Sequence, residues 1–298
     1  MRTKTILLRL SGGLGNQLFQ YALGRHLSIL SEAELIFDTH ALSDDIRTYA
    51  LGPFSIHGRI SDSLKKDMRG LGLPNTENMT IIGKIIRKSF RLFESHKKLC
   101  ERKFITESHF QFDPTMLEIR HSCYLSGFWQ SEKYFKTIED ILRKDLVLKE
   151  SLSSASESLA ARMRSAHSIS LHVRRGDYLA NKTQGPCSRD YYERAVARIA
   201  ERVPNPEFFI FSDDIAWAKD ALSIGFPVTF VSGAGIPDYE EMVLMSTCAH
   251  HIIANSSFSW WGAWLNQNPN KIVIAPKQWF RAGNERTINL IPEGWIRT

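Results

Sequence analysis

Residues 5–18 read Thr-Ile-Leu-Leu-Arg-Leu-Ser-Gly-Gly-Leu-Gly-Asn-Gln-Leu. The apolar run 5–10 suits a buried strand, glycines 12, 13 and 15 mark a tight turn, and a helical pattern of apolar residues continues from Leu18 to Leu30. Strand, glycine turn and helix in that order open a βα unit. Working outward, further apolar runs at 34–37, 169–173, 208–211, 228–231, 251–254 and 271–275 are each followed by a loop and a helix-like pattern. This alternation predicts the α/β class, with doubly wound parallel sheets whose ligands sit outside the carboxyl ends of the strands.

A chain of 298 residues, 43% of them hydrophobic, is long enough for two domains with separate cores. The Ser-rich stretch 150–158 is the expected boundary, dividing residues 1–150 from 151–298, and it can itself lie on a helix. The net charge of +6 sits mostly in the first half, where 23 Lys and Arg face 18 Asp and Glu, against 15 and 14 in the second. That excess fits anionic ligands or an anionic membrane surface; without a zinc finger or an aromatic-basic RNA motif it does not point to nucleic acid.

The four cysteines show no C-x-x-C pair, so packing roles are expected rather than a zinc site or disulfides. No uncharged apolar run reaches the roughly 18 residues of a membrane span, and the opening stretch is too short for a signal peptide, so a cytoplasmic location is expected. Within residues 80–104, Ile81, Ile82, Ile85, Ile86, Phe90 and Phe93 recur at helical spacing beside eight Lys and Arg. Such a helix suits either a core-facing stripe or an anionic leaflet.

Four loops at strand exits carry the candidate chemistry. Gly13, Gly15, Asn16 and Gln17 form the first, where backbone N–H groups and a helix N-terminus favour an anion. A bare tight turn fits the same residues. The nicotinamide fingerprint lacks its third glycine, since Leu18 stands there, and a P-loop Gly-Lys-Ser/Thr is absent, so a dehydrogenase is disfavoured. The second loop is His172-Val173-Arg174-Arg175-Gly176-Asp177-Tyr178. Paired guanidinium forks suit a diphosphate, with one arginine facing phosphate and the other held by Asp177, and an internal Arg–Asp pair is the alternative.

The third is Ser212-Asp213-Asp214, whose carboxylates suit the N–H edge of guanine or, more plainly, a helix N-cap. Adjacent acids also raise a divalent cation, but the D-x-D spacing of metal-dependent sugar transferases is missing, so no metal is expected. The fourth is Asn255-Ser256-Ser257-Phe258-Ser259-Trp260-Trp261-Gly262-Ala263-Trp264, where small hydroxyls can cap a helix and donate to phosphate. Its tryptophans fit core packing better than a sugar platform. Glu241, near the start of the helical stretch 239–248, is a further candidate for a ribose or base contact.

Taken together, G-G-L-G-N-Q-L-F-Q-Y, H-V-R-R-G-D-Y, F-S-D-D and N-S-S-F-S-W-W-G-A-W-L resemble the motif set of the bacterial α-1,2-fucosyltransferases. The resemblance spans about residues 8–280 and includes G-F-W-Q-S-E-K-Y-F and L-M-S-T-C-A-H-H-I-I-A. It implies a GT-B architecture of two Rossmann-like domains facing a cleft, GDP-β-L-fucose as donor, a terminal β-galactoside as acceptor, inversion, and no required metal or other cofactor. It further implies that Arg174 and Arg175 bind donor, with Arg175 on the diphosphate, and that His172, Asp213, Asp214, Ser256, Ser257 and Phe258 line the nucleotide pocket.

The first domain would then set acceptor choice, with Trp129, Gln130 and Tyr134 as acceptor residues and the Gly13–Gln17 loop reaching the phosphates and fucose. Surface polysaccharide synthesis at the inner face of a bacterial inner membrane is the implied setting. An inverting displacement also needs a base. Asp177 and His172 are the candidates, while Asn16 can only orient. Rival readings are a GDP-sugar transferase with another linkage, such as one acting on peptide, and a non-catalytic sugar-nucleotide or glycan-binding module.

Overall fold

The computed structural model describes residues 3–43, 47–73, 92, 94, 96–181, 183–233, 235–281 and 289–298. The apolar positions of the 80–104 stretch, on which its membrane or core role rests, lie outside the described residues. The chain forms two compact units, Met1–Lys149 and Glu150–Thr298.

The first unit holds five parallel strands, β1 (Lys4–Arg9), β2 (Ala33–Asp38), β3 (Arg59–Ile60), β4 (Phe104–Thr106) and β5 (Cys123–Ser126), in the order β3-β2-β1-β5-β4. The strand order reverses between β1 and β5. Helix α1 (Leu14–Ser31) crosses from β1 to β2 and buries residues on nearly every face, among them Leu18, Phe19, Tyr21, Ala22, Leu23 and Leu27. Full burial of each such side chain is worth about 1.5–3 kcal/mol. Gly24 lets the helix lie flat on the sheet, because a Cβ there would meet Leu8 at 2.9 Å and Leu35 at 3.1 Å. Shorter helices among the described residues are α2 (His40–Ser43), α3 (Leu64–Gly70) and α4 (Glu139–Asp145).

The second unit has six parallel strands, β6 (Ser168–Val173), β7 (Glu207–Ser212), β8 (Val228–Phe230), β9 (His250–Ile252), β10 (Val273–Ala275) and β11 (Ile296–Arg297). Their order, β8-β7-β6-β9-β10-β11, is that of the dinucleotide fold, and it reverses between β6 and β9. Helices α5 (Ser154–Ser165), α6 (Arg189–Ala200), α7 (Ile215–Ala221), α8 (Asp238–Thr247) and α9 (Ser257–Leu265) connect or flank the strands. The Ser-rich boundary stretch is short loop up to Ser153, which caps α5, and helix beyond it.

All seven sequence-predicted strands form. The strands missed, β3, β4, β5 and β11, are two to four residues long, too short to display a period. Trp260, Trp261 and Trp264 are packing residues at 0–3% exposure, Trp260 stacked on Trp264 and Trp261 edge-on to both, and the Trp260 indole donates to Leu290 O at 2.8 Å. All four cysteines are free thiols. Among the described residues no helix is long and apolar enough to cross a membrane.

Candidate functional site

In the second unit the candidate residues gather where the strand order reverses. Strand β6 is buried throughout and delivers Arg174 and Arg175 at its carboxyl end, beside the end of β7, since Val173 pairs with Ser212. Arg174 is held twice: Nη2 lies 2.7 Å from Asp177 Oδ1 and Nε 3.2 Å from Asp213 Oδ2. Its guanidinium also covers the Tyr178 ring at 5.5 Å. Arg175 is held once at its side chain, Nε to Asp214 Oδ2 at 3.3 Å, and its guanidinium stacks 4.0 Å from the centre of Trp217. Among the described residues its two terminal nitrogens make no hydrogen bond, so the fork keeps donors for an anion.

Asp213 and Asp214 are thus ligands of the arginines. Asp213 Oδ1 accepts the Arg175 main-chain N–H at 2.8 Å, and Gly176 is needed beside it because a Cβ would come within 2.7 Å of Asp213 Oδ2. Asp214 Oδ1 caps α7 by accepting Trp217 N–H at 3.1 Å. Of the two roles open to these carboxylates, Asp214 fills the N-cap, and each carboxylate spends about half of its acceptor sites on guanidinium and amide N–H groups. Near them, Ser232 Oγ donates to Glu241 Oε2 at 2.9 Å and accepts the Ser212 N–H at 3.0 Å. Burial pushes the Glu241 carboxyl up to about 7.

His172 lies on β6 and is 5% exposed, with its ring 5.7 Å from Phe258. Burial, and then the Arg174 charge, push its imidazole down to about 3, and its Nδ1 is buried with no partner among the described residues. The shift keeps the imidazole neutral near neutral pH and makes it a weaker base than an ordinary histidine. Its neutral ring suits a hydrogen bond.

The exit of β9 adjoins that of β6, as Leu171 pairs with Ile252 and Tyr178 Oη donates to Asn255 O at 3.3 Å. Asn255 is 3% exposed and its side chain is spent: Nδ2 donates to Gly185 O and Trp279 O at 2.8 and 2.9 Å, and Oδ1 accepts from Cys187 Sγ at 3.4 Å. That corrects its assignment as a donor contact; it braces loops. Ser256 is the N-cap of α9, accepting Phe258 N–H at 3.3 Å, and Ser257 and Phe258 open the helix.

In the first unit the corresponding reversal, between β1 and β5, also collects candidates. Gly12, at φ +72°, makes the turn; a Cβ there would strike Asn16 Nδ2 at 2.5 Å. Gly13 takes the N-cap position of α1 without a side-chain cap and with no acid in the first turn, and Gly15 is buried behind it. Such an end presents amide N–H groups and the positive pole of the helix. Gln130 Nε2 donates to Asn16 Oδ1 at 2.8 Å.

Gln17, by contrast, is fully buried, donating to Gly12 O and Thr48 O at 2.8 Å each and accepting Ala50 N–H at 2.9 Å. Its donor-binding role is corrected to a tether. Trp129 and Tyr134, assigned to the acceptor, are core residues at 1% and 2% exposure. The Tyr134 hydroxyl accepts Asp113 N–H at 3.0 Å and its ring packs edge-on against Phe112.

Two site-forming residues escaped the sequence reading. Gln20 laces the two exits together, accepting Ser11 N–H at 3.1 Å and donating to Ser11 Oγ and Gly127 O at 3.0 and 2.9 Å. Glu107 accepts the Phe128 and Trp129 N–H groups at 2.7 and 3.0 Å, holding Trp129 at φ +48°, and burial raises its carboxyl pKa. The repeated Gln three residues after Gln17 was a signal for the first; the second had none. Among the described residues no three His, Cys, Asp or Glu side chains converge as metal ligands would.

The two Rossmann-like units, each built on a parallel sheet, have the GT-B fold. The chain belongs to glycosyl transferase family 11, which it matches over residues 5–297. It is 34% identical to an alpha-1,2-colitosyltransferase of Escherichia coli, covering 98% of each chain, and 31% identical to the O-antigen biosynthesis glycosyltransferase WbnK of E. coli, covering 96% of this chain and 98% of that one. In fold it is similar to the fucosyltransferase NodZ from Bradyrhizobium, with a TM-score of 0.54 at 15% identity over 88% of this chain and 92% of that one.

Proposed function

We propose that the protein transfers L-fucose from GDP-β-L-fucose, with inversion and without a metal, to the 2-hydroxyl of a glycan ending in β-galactose, in the synthesis of a bacterial surface polysaccharide. The family and the E. coli O-antigen relative support the setting. The observation that carries the reading is that Arg174–Arg175 and the Asn255–Ser257 turn leave adjacent strands, β6 and β9, at the reversal of the second sheet, with Tyr178 bonded to Asn255 O. A departing diphosphate develops negative charge, and preorganised cationic and amide donors stabilise it without reorganising.

In this mechanism Arg175 offers its terminal nitrogens to the diphosphate while Trp217 and Asp214 fix the fork. Arg174, clamped by Asp177 and Asp213, holds the loop. The amides opening α9 supply further donors, and the orphaned His172 Nδ1 and the Glu241 carboxyl contact the nucleoside. Within the first unit, Gln130 fixes the Asn16 side chain, whose amide offers a set rotamer to a sugar hydroxyl. Asp177, half exposed, is the better placed of the two original bases.

The colitosyl relative favours a second donor, since colitose is L-fucose lacking its 3-hydroxyl. Incubation with GDP-fucose, GDP-colitose, GDP-mannose and UDP-galactose in turn, followed by linkage analysis of the product, separates the readings. Fucosyl transfer to O2 of galactose is expected, whereas transfer from GDP-colitose alone replaces the donor and no transfer from any GDP-sugar overturns the proposal.

A further inference from the structure

The second unit contains a cavity of about 720 Å³ that shares Asn255, and no other residue, with the proposed donor site. This is within the range of small-molecule sites, about 300–1,000 Å³. It opens beyond the exits of β9 and β10 and against the start of α6, which Ser188 caps by accepting Tyr191 N–H at 3.2 Å. Buried Asn255 braces its walls through Gly185 O and Trp279 O. Among the described residues three cations line it, Arg194, Lys277 and Arg281, each exposed at the rim, with no acidic side chain beside them. None of the three forms an ion pair with a described residue, and neither Arg174 nor Arg175 lines the cavity. Gly185 admits the Arg281 guanidinium, because a Cβ would overlap its Nε.

Unopposed cations are ordinary on an open surface, where each is solvated and worth little. Grouped around a concavity with apolar walls they focus their field and raise the local concentration of anions. Trp279 and Phe280, 3% and 5% exposed, form part of that wall. We infer that this cavity is a second ligand site, for the anionic part of a saccharide acceptor, either a sugar phosphate or a hexuronate. The inference rests on the glycosyltransferase reading for the word saccharide, but not on the identity of the donor. It adds a selection that the galactose-binding end of the acceptor does not make, namely for a charged residue elsewhere on the glycan.

The test is calorimetric titration of the full chain, with and without saturating GDP, using inorganic pyrophosphate, methyl β-D-glucuronide and the neutral methyl β-D-galactoside. Saturating GDP blocks the donor phosphate site. Pyrophosphate or the glucuronide is expected to bind the GDP-loaded protein, and whichever binds identifies phosphate or carboxylate as the recognised group. The doubly substituted Arg194→Ala/Lys277→Ala protein, with its melting temperature checked against the parent, is expected to bind that probe at least about tenfold more weakly, and Arg175→Ala to bind it as the parent does. Binding of neither anion to the GDP-loaded chain, or loss on Arg175→Ala but not in the double variant, overturns the inference. Failure of GDP itself to bind overturns the proposed donor; retained anion binding to the GDP-free chain, lost in the double variant, keeps the cavity site.

Discussion

The side-chain amide of Gln130 donates to Asn16 Oδ1 at 2.8 Å, so the loop leaving β5 fixes the orientation of a residue in the first turn of α1. Asn16 cannot move protons at neutral pH, and the role proposed for it, holding a sugar hydroxyl, demands a fixed rotamer. Asn16→Ala is expected to lower kcat by one to two orders of magnitude, roughly the cost of a lost hydrogen bond to a reacting group. Gln130→Ala is expected to lower kcat about fivefold with KM for the donor little changed, since one neutral hydrogen bond is worth about 1 kcal/mol. Steady-state transfer assays check both; an unaltered kcat in Gln130→Ala removes the positioning role.

Gln17 makes three hydrogen bonds in a fully buried position. Its replacement by Ala leaves Gly12 O, Thr48 O and Ala50 N–H without partners, and about 2–4 kcal/mol of stability is expected to go with them. Thermal or urea unfolding measures this. A variant as stable as the parent that has lost only donor affinity would return Gln17 to the ligand.

Two side chains give opposite pH dependences. His172 is held down at about 3 by burial, so between there and its ordinary 6.5 the unfolded chain binds more protons than the folded one, and stability falls as pH falls through that window. Glu241 is held up at about 7, so the folded chain binds more protons between 4.5 and 7, and stability falls as pH rises through that window. Denaturation across pH should therefore lose part of its acid limb in His172→Phe and part of its near-neutral decline in Glu241→Gln. Unfolding curves that keep the same pH dependence in both variants contradict these environments.

The carboxylates at the β7 exit are occupied by Arg174, Arg175 and the α7 cap. Transfer is expected to persist in EDTA at the parent rate. Loss of activity in EDTA with recovery on adding manganese would contradict the metal-free mechanism.

The long strands and the loops they deliver were legible because β1, β6 and β7 are six-residue strands rich in apolar residues, and glycine, arginine and aspartate pairs follow them in turn. What was not legible is which polar side chains the chain spends on itself. Gln17 and Asn255 have the composition of ligand-binding residues, but their amides close loops to Thr48 and to Trp279, partners 31 and 24 residues away. Trp129 and Tyr134 follow the same logic, since a large aromatic beside a polar motif reads alike whether it covers a sugar or fills a core. The partnership of Arg175 with Trp217 depends on β6 and β7 being neighbours, which spacing alone does not state.

The claim on which the mechanism depends is that the Arg175 fork grips the diphosphate while Arg174 secures the loop. Calorimetric titration of GDP into the parent and into Arg175→Ala tests it. Affinity is expected to fall by about 2–5 kcal/mol, as when a charged ligand loses its principal partner. A GDP affinity equal to that of the parent, in a folded variant, contradicts it.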